Sequence, residues 1–154
     1  MRRRTKIVAG ITAALALAGA LTGISAASAS DTISETECHA IGGSGRIMYC
    51  LGTNVWRGER KGWAYAEVKD RSGAPDYDVQ VTNVGFQRYY DGAWRMVTLD
   101  SDKDGWWDYR EYGNASAGGC GSSKVRARAL LSWRYAGTST VYYKRVYGAY
   151  QTCQ

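Results

Sequence analysis

The clearest structural signal in the sequence is the stretch Lys124–Tyr135, which reads KVRARALLSWRY. Apolar and small side chains take every second position from Val125 onward, and basic or polar side chains fall between them, with Leu130 as the one apolar exception. A period of two is typical of a β-strand with one buried face and one solvated face. The turn-forming residues 136–139 and the aromatic, β-branched run Thr140–Thr152 then predict a hairpin.

Earlier parts of the chain show the same strand pattern. The predicted strands cover residues 46–51, 63–69, 77–90, 94–99 and 106–112. The segment 77–90 is too long for one plain strand, so Gly85 is expected to mark a bulge or bend. Because no helical periodicity extends over ten residues, we predict an all-β domain, an antiparallel β-sandwich or barrel of about seven strands.

The N-terminal residues 1–29 are predicted to be a cleavable signal peptide. Four basic residues precede 18 uncharged ones (Ile7–Ile24), and Ala27-Ser28-Ala29 is a small-x-small cleavage site. An uncleaved transmembrane anchor is the alternative, since such a length nearly spans a bilayer. The glycines and alanines of the segment and its cleavage site favour the signal peptide. We therefore expect a secreted bacterial protein with no membrane attachment after cleavage.

The mature chain is expected to hold a flexible lead-in at residues 30–37 and one domain at residues 38–154. Removal of the signal leaves 16 basic and 14 acidic residues, a net charge of +2. This near-neutral balance does not indicate nucleic-acid binding. The charge is uneven, however, because residues 124–154 carry six basic residues and no acidic one.

Four cysteines lie in the mature chain, which in an exported domain predicts two disulfides. They are Cys38, Cys50, Cys120 and Cys153. Three pairings are possible, and we favour Cys38–Cys50 with Cys120–Cys153, because each bridge then closes one terminal region on itself. A zinc site would need tighter spacing and more histidine than the single His39.

Residues 100–111, DSDKDGWWDYRE, match the calcium-loop pattern D-x-D-x-D-G-x5-E at every specified position. The predicted ligands are side-chain oxygens of Asp100, Asp102, Asp104, Asp108 and Glu111 and the backbone carbonyl of Trp106. Several carboxylates in one short loop repel one another, and a divalent cation would remove that repulsion. The alternative is a solvated acidic turn without metal.

This loop resembles the EF-hand loop of the calmodulin and dockerin families, over twelve residues only. The flanking segments are predicted strands, not helices, so the hairpin-borne loops of integrin-type β-propeller repeats are the closer analogy. The resemblance implies a single structural calcium site, with an affinity on the order of 10⁻⁴ to 10⁻³ M as in other extracellular modules.

The sequence offers little for catalysis. His39 is the only histidine, it adjoins Cys38, and no nucleophile-elbow pattern is present. Carboxylates for a glycosidase exist at Glu59, Glu67, Asp76, Asp78 and Glu111. A domain of this size has little room for a deep cleft, so we expect a protein that is not an enzyme.

Binding of another macromolecule is the favoured function, most of all a protein partner in an extracellular assembly. The candidate contact residues are Arg126, Arg128, Arg134, Tyr142, Lys144 and Trp107. The alternative is polysaccharide binding through Trp56, Trp63, Trp94, Trp106 and Trp107. A protease inhibitor or a small glycan hydrolase comes third. A solvated basic face and aromatic side chains buried in the core remain the simpler explanations for both sets.

In general composition the chain resembles many small exported proteins of filamentous Gram-positive bacteria. These include protease inhibitors, spore-surface proteins and subunits of secreted antibacterial particles. The resemblance lies in the Ala-rich leader and the Gly-, Tyr- and Trp-rich disulfide domain, and it implies no site residues.

Overall fold

The structure is a computed structural model that describes residues 32–42, 45–56, 58–72, 76–103, 105 and 107–153. These residues form nine β-strands and no helix, which confirms the predicted all-β class. The strands are β1 Thr32–Ile41, β2 Ile47–Trp56, β3 Lys61–Asp70, β4 Tyr77–Tyr90, β5 Ala93–Ser101, β6 Arg110–Gly119, β7 Lys124–Tyr135, β8 Tyr142–Tyr147 and β9 Gln151–Thr152.

The strands form two antiparallel sheets. Sheet 1 has the order β1-β2-β3-β6, and sheet 2 has the order β5-β4-β7-β8, with β9 paired to the start of β7. The chain passes from sheet 1 to sheet 2 between β3 and β4, returns between β5 and β6, and leaves sheet 1 again before β7. Residues 100–111, from the end of β5 to the start of β6, join the two sheets; we call them the crossover, and they are the predicted calcium loop.

The core lies between the sheets and is built from the alternate positions that the period-two pattern predicts. Fully buried members are Val55, Ala64, Ala66 and Val68 of sheet 1 and Val79, Phe86, Val125, Ala127, Ala129 and Leu131 of sheet 2. Removing this apolar surface from water is the main stabilising term, at about 25 cal/mol per Å². The side chains between these positions point outward, so each sheet presents one outer face.

Two glycines allow the sheets to approach closely. A Cβ on Gly113 of β6 would lie 2.7 Å from Cγ1 of Val81, and one on Gly62 of β3 would lie 2.7 Å from the Phe86 ring. Such distances exclude a side chain, so β3 and β6 pack tightly against β4 only because these positions are glycine. This packing brings the crossover against the edge of β4.

The segment 30–37, expected to be a flexible lead-in, differs from that expectation. From Thr32 onward it belongs to β1, and Thr32–Glu37 pairs with Leu51–Trp56 of β2. An edge strand can be polar because its backbone hydrogen bonds, not its side chains, hold it to the sheet. Composition therefore gave no signal for this strand.

Other strand boundaries differ in detail. The predicted strand at 106–112 begins at Arg110 and extends to Gly119, because the residues before it are used in the crossover. The predicted returning strand Thr140–Thr152 is divided into β8 and β9. β4 is continuous, and its pairing with β5 shifts at Phe86/Gln87, next to Gly85.

Both predicted disulfides are confirmed, Cys38–Cys50 and Cys120–Cys153. The first joins directly opposed residues of β1 and β2, and the second joins the turn before β7 to the residue after β9. On the loop-entropy model each contributes roughly 3 to 4 kcal/mol.

The described part of the chain contains no helix long and apolar enough to cross a membrane. The predicted signal peptide, residues 1–29, lies outside the described residues, as does the start of the predicted lead-in.

Candidate functional site

The crossover follows the part of β4 that β5 leaves unpaired. The backbone N–H of Asp102 donates to the Thr82 carbonyl at 3.1 Å, and Val79 forms an antiparallel bridge with Asp108. These bonds satisfy the N–H and carbonyl groups of Val79 and the carbonyl of Thr82 along this edge of β4. The crossover is consequently fixed against sheet 2 before it enters sheet 1.

Two carboxylates of the crossover are used in this attachment. One oxygen of Asp102 accepts hydrogen bonds from Nε2 of Gln80 and, at 3.1 Å, from the N–H of Gly105. One oxygen of Glu111 accepts the N–H of Val81 at 3.0 Å. Both side chains therefore have structural partners on β4 or within the loop.

The predicted calcium ligands fall into three groups. Asp100, Asp102 and Glu111 line one cleft of about 330 Å³. Asp108 sits elsewhere, and its carboxylate accepts the following backbone N–H at 2.6 Å. Asp104 and Trp106 lie outside the described residues. Among the residues that are described, no three His, Cys, Asp or Glu side chains are arranged to hold a metal ion, and calcium binding stays a prediction.

Two predicted partner-binding residues, Arg134 and Trp107, contact each other. Nε of Arg134 donates to Oδ2 of Asp78 at 2.9 Å, and its guanidinium carbon lies 4.6 Å from the centre of a Trp107 ring. The crossover thus covers this end of the outer face of sheet 2. The charge of Arg134 is compensated there by Asp78.

Tyr142 and Lys144 are placed differently from the expectation. In the register of β8 they lie opposite Trp133 and Leu131, and directly opposed side chains share one side of a sheet. Since Leu131 is fully buried, this is the core-facing side, at its exposed margin. Tyr142 stacks on Trp133 with ring centres 6.0 Å apart. The β8 residues on the arginine side are instead Tyr143, Arg145 and Tyr147.

The open part of the outer face of sheet 2 combines basic and aromatic side chains, and we call it the basic face. Its members are Lys124, Arg126 and Arg128 of β7, Tyr143, Arg145 and Tyr147 of β8, Tyr89 of β4, Trp94 of β5 and Tyr150. The four cations of this face are Lys124, Arg126, Arg128 and Arg145, and none of them forms an ion pair within the described residues. The four tyrosines are all exposed. The face is therefore positively charged without internal compensation.

Arg126 lies near the middle of the basic face and contacts two aromatic rings. Its guanidinium carbon is 4.1 Å from the centre of a Trp94 ring and 4.3 Å from that of Tyr147. Its Nε–H donates to Oε1 of Gln87 at 2.9 Å. Burial among these groups lowers the pKa of Arg126 from its ordinary value, although the guanidinium stays charged.

A shallow cleft of about 320 Å³ opens beside Arg126, and we call it the aromatic cleft. It is lined by Tyr89, Trp94, Lys124, Arg126 and Tyr150. Nζ of Lys124 lies 4.4 Å above the Tyr150 ring, and the Tyr89 and Trp94 rings meet edge to face at 5.3 Å. Two cations and three aromatic rings thus surround one concavity.

The outer face of sheet 1 has the opposite electrostatic arrangement, centred on Glu67 of β3, and we call it the paired face. The Glu67 carboxylate accepts a hydrogen bond from the Tyr65 hydroxyl at 2.9 Å and from Nε of Arg110 at 2.7 Å, with Nζ of Lys69 at 3.9 Å. Glu67 is only 7% exposed. Burial and the bond to Glu67 raise the pKa of Tyr65, so the phenol remains the donor.

The tryptophans predicted to bind polysaccharide do not share one surface. Trp56 and Trp63 are half-buried on the outer face of sheet 1. Trp94 and Trp107 contact Arg126 and Arg134 on the outer face of sheet 2. Trp106 lies outside the described residues.

Sequence reasoning found Arg126 and Arg128, and named Trp94 only for polysaccharide binding, but it missed Tyr89 and Tyr147 and did not place any of these aromatic side chains beside the arginines. Tyr89 and Trp94 flank the Asp91-Gly92 turn and are directly opposed in the β4–β5 hairpin. The turn signal would have allowed this pair to be found. Tyr147 had no such signal, because its position depends on how β8 aligns with β7.

A scan against protein-family models, a search of the curated proteins and a search of the solved structures found no match. Fold and site together define a disulfide-linked, two-sheet all-β protein with one uncompensated cationic face.

Proposed function

We propose that the mature domain is a secreted, non-catalytic binding module whose basic face docks on an acidic surface of a protein partner in an extracellular assembly. The observation that carries this proposal is the set of four cations on one sheet face that have no carboxylate partner among the residues the structure describes. Like charges on neighbouring strands repel one another, and an acidic partner would remove that repulsion.

The side-chain composition of the basic face supports a protein partner. Arginine, tyrosine and tryptophan are enriched at protein interfaces and dominate their binding energy. Tyr143 is 62% exposed and Tyr150 is 55% exposed. A large aromatic side chain held on a regular strand, such as Tyr143 of β8, loses little conformational entropy when it becomes buried in a complex.

Secretion is proposed from the leader sequence together with the disulfides. Residues 1–29 have the pattern of a signal peptide. Two disulfides in one small domain are typical of an oxidising, extracellular compartment. The docking partner is therefore expected outside the cell.

The carboxylates considered for glycan hydrolysis support a non-catalytic role, because each is bound to a group of the chain itself. Glu59 pairs with Lys61, Asp76 with Arg46 and Asp78 with Arg134. Glu67 and Glu111 accept the hydrogen bonds described above. A glycosidase instead needs two carboxyl groups that face each other across the substrate.

The test compares two neighbours on β8 that point to opposite sides of sheet 2. The tagged mature protein is used to capture partners from its native culture supernatant in millimolar calcium, and bound proteins are identified by mass spectrometry. We expect an acidic protein in stoichiometric amount with the wild type and with Lys144→Glu, and its loss with Arg145→Glu. Both side chains are exposed, so both variants should fold.

Two results would contradict the proposal. One is a partner retained equally by both charge-reversal variants, because binding would then involve another surface. The other is the absence of any stoichiometric partner. A partner that is released as the salt concentration rises would support it, since exposed charges are screened within about 10 Å at 0.1 M salt.

Polysaccharide binding remains the second candidate, on the paired face. Trp63, Tyr65 and Tyr112 form a row with ring centres 6.4 Å and 6.1 Å apart. The first pair meets edge to face and the second is tilted, so each ring is a separate surface on which a sugar could pack. Pelleting with chitin, cellulose or peptidoglycan, lost in Tyr112→Ala and unaffected by Arg145→Glu, would favour this candidate over the first.

A further inference from the structure

The aromatic cleft is the concave part of an otherwise flat basic face. Building on the proposed function, we propose that this cleft receives one acidic side chain, aspartate or glutamate, of the protein partner. Its carboxylate would be held by the edge of the Arg126 guanidinium, with Lys124 as a second positive charge. The cleft of about 320 Å³ suits a side chain rather than a folded segment.

The guanidinium of Arg126 lies over two aromatic rings and keeps most of its N–H donors for a ligand. The rings of Trp94 and Tyr147 lie within 4.1 Å and 4.3 Å of its central carbon. One of its five N–H donors is taken by Gln87. The four donors on the two Nη atoms have no acceptor among the described residues. A planar edge with parallel donors matches a carboxylate in a bidentate arrangement.

The surroundings of Arg126 give a thermodynamic reason for an anion. Rings that cover a guanidinium displace water from it, and the lowered pKa of Arg126 reflects this desolvation. Cation–π contacts with the two rings offset part of that cost. A partly buried charge that lacks a counter-charge gains most from an incoming anion.

The rest of the cleft is arranged to surround that anion. Lys124 is exposed, lines the cleft and lies above the ring of Tyr150. Tyr89 and Tyr150 are 41% and 55% exposed and form the rim. A rim of exposed tyrosines would exclude water from a carboxylate once a partner covers the face.

The rings also distinguish a peptide from an acidic sugar. A uronate would need a free aromatic face for its pyranose ring in addition to the guanidinium edge. Trp94 already contacts the guanidinium of Arg126 and the ring of Tyr89, and Tyr150 lies beneath Lys124. Because these rings already contact the cations, they are not free to pack on a sugar ring, and an acidic side chain of a peptide is the favoured ligand.

The experiment measures binding of a ten-residue glutamate peptide to the mature protein by calorimetry and by nitrogen-15 NMR of the Arg126 Nε–H. The two decisive variants, Arg126→Lys and Arg128→Lys, keep the net charge of the face. We expect Arg126→Lys to weaken binding about tenfold, because a bidentate contact becomes a single one, and Arg128→Lys to change it by about twofold or less. A glutamine peptide should not bind.

Two further ligands test the chemistry. Inorganic sulfate and polygalacturonate are titrated under the same conditions. If polygalacturonate binds more tightly than the glutamate peptide, the peptide assignment is wrong. If Arg126→Lys and Arg128→Lys weaken binding of the glutamate peptide equally, or if neither variant weakens it, the aromatic cleft is not the carboxylate-binding site. A melting temperature of Arg126→Lys equal to that of the wild type would show that its loss of binding is not caused by misfolding.

This inference and the proposed function fail in different ways. If capture of the partner is lost in Arg145→Glu but retained in full in Arg126→Lys, the basic face docks a protein without a carboxylate in the cleft. If no partner is captured and the peptide still binds in an Arg126-dependent manner, the cleft binds acidic side chains and the assembly proposal is wrong.

Discussion

The two outer faces of the molecule satisfy their buried charges in opposite ways. On the paired face, Glu67 is almost fully buried and meets a phenol and a guanidinium of the same chain. On the basic face, Arg126 is half-buried and meets two rings and one amide. A charge that the chain neutralises contributes to stability. A charge that the chain only covers with rings remains available to a partner.

The comparison implies a division of roles that mutation can separate. Substitutions on the basic face should change affinity and leave the free energy of unfolding unchanged. Substitutions on the paired face should change the free energy of unfolding and leave affinity unchanged. Any variant that moves both quantities by comparable amounts would break this distinction.

The largest effect is expected from Arg126→Gln. Loss of the central cation should weaken binding of the captured partner on the order of 100-fold, as for other charged pairs at the centre of an interface. The melting temperature should not fall, because the substitution also removes a desolvated charge. Surface plasmon resonance and calorimetry measure the two quantities. A melting temperature several degrees lower would show that Arg126 is a structural residue instead.

The next effect is expected from Glu67→Gln on the paired face. Removing the charge from a buried carboxylate with two hydrogen-bond donors should lower the free energy of unfolding by about 1.5 to 3 kcal/mol. Partner affinity should stay within twofold. Urea denaturation provides the measurement. Asp78→Asn is the matched control, since its carboxylate, which pairs with Arg134, is more exposed than that of Glu67 and should contribute about 0 to 1 kcal/mol.

The addition of calcium tests whether the crossover, which joins the two sheets, binds a metal ion. If the crossover binds calcium with a dissociation constant of about 1 mM, 10 mM calcium should raise the free energy of unfolding by about 1.4 kcal/mol. Magnesium should have a smaller effect, because the predicted loop offers many flexible oxygen ligands. Thermal melts with each ion make the comparison. A melting curve unchanged by calcium would show that residues 100–111 form a solvated acidic turn.

The smallest effect is the pH dependence of Asp70, a second buried acid at the end of β3. Burial alone would raise its pKa, but hydrogen bonds from the Ser72 hydroxyl and N–H and from the N–H groups of Tyr77 and Asp76 lower it overall. The unfolded chain then takes up a proton at higher pH than the folded one. The contribution of Asp70 to the free energy of unfolding should be fully present above about pH 4, and it should be lost progressively as the pH falls below that value.

Asp70→Asn should remove part of this pH dependence and lower stability at neutral pH. Urea titrations at pH 7 and at pH 3 measure both effects. The matched control is Asp100→Asn, whose side chain is more exposed. If Asp70→Asn shows the same difference between the two pH values as the wild type, the titrating group is another carboxylate.

Much of the fold was predictable because strand alternation and disulfides are local or nearly local signals. β7 was predicted with its observed bounds, Lys124–Tyr135, and both disulfides were assigned correctly. β1 was missed, because its polar sequence carries no apolar alternation and its pairing with β2 holds it in place. Periodicity reports which side chains are buried, and it does not report backbone pairing of a polar edge.

The candidate site was predictable only in part, for a related reason. Alternation placed Arg126 and Arg128 on the solvated side of β7, and the structure agrees. Alternation within Thr140–Thr152 does not reveal which residue of β8 stands opposite Leu131, so the side of Lys144 was assigned incorrectly. A shift of one residue in register moves every side chain of a strand to the other face.

The sequence by itself determined the strand class, the expectation of two disulfides and the uneven charge of residues 124–154, since composition and period two suffice for these. Tertiary structure alone decided that Trp94 and Tyr147 flank Arg126, that Trp107 covers Arg134, and that Glu67 receives Arg110. These contacts join strands that are distant in the chain. Alternation fixes the side of a sheet on which a side chain lies, whereas strand order and register fix its neighbours.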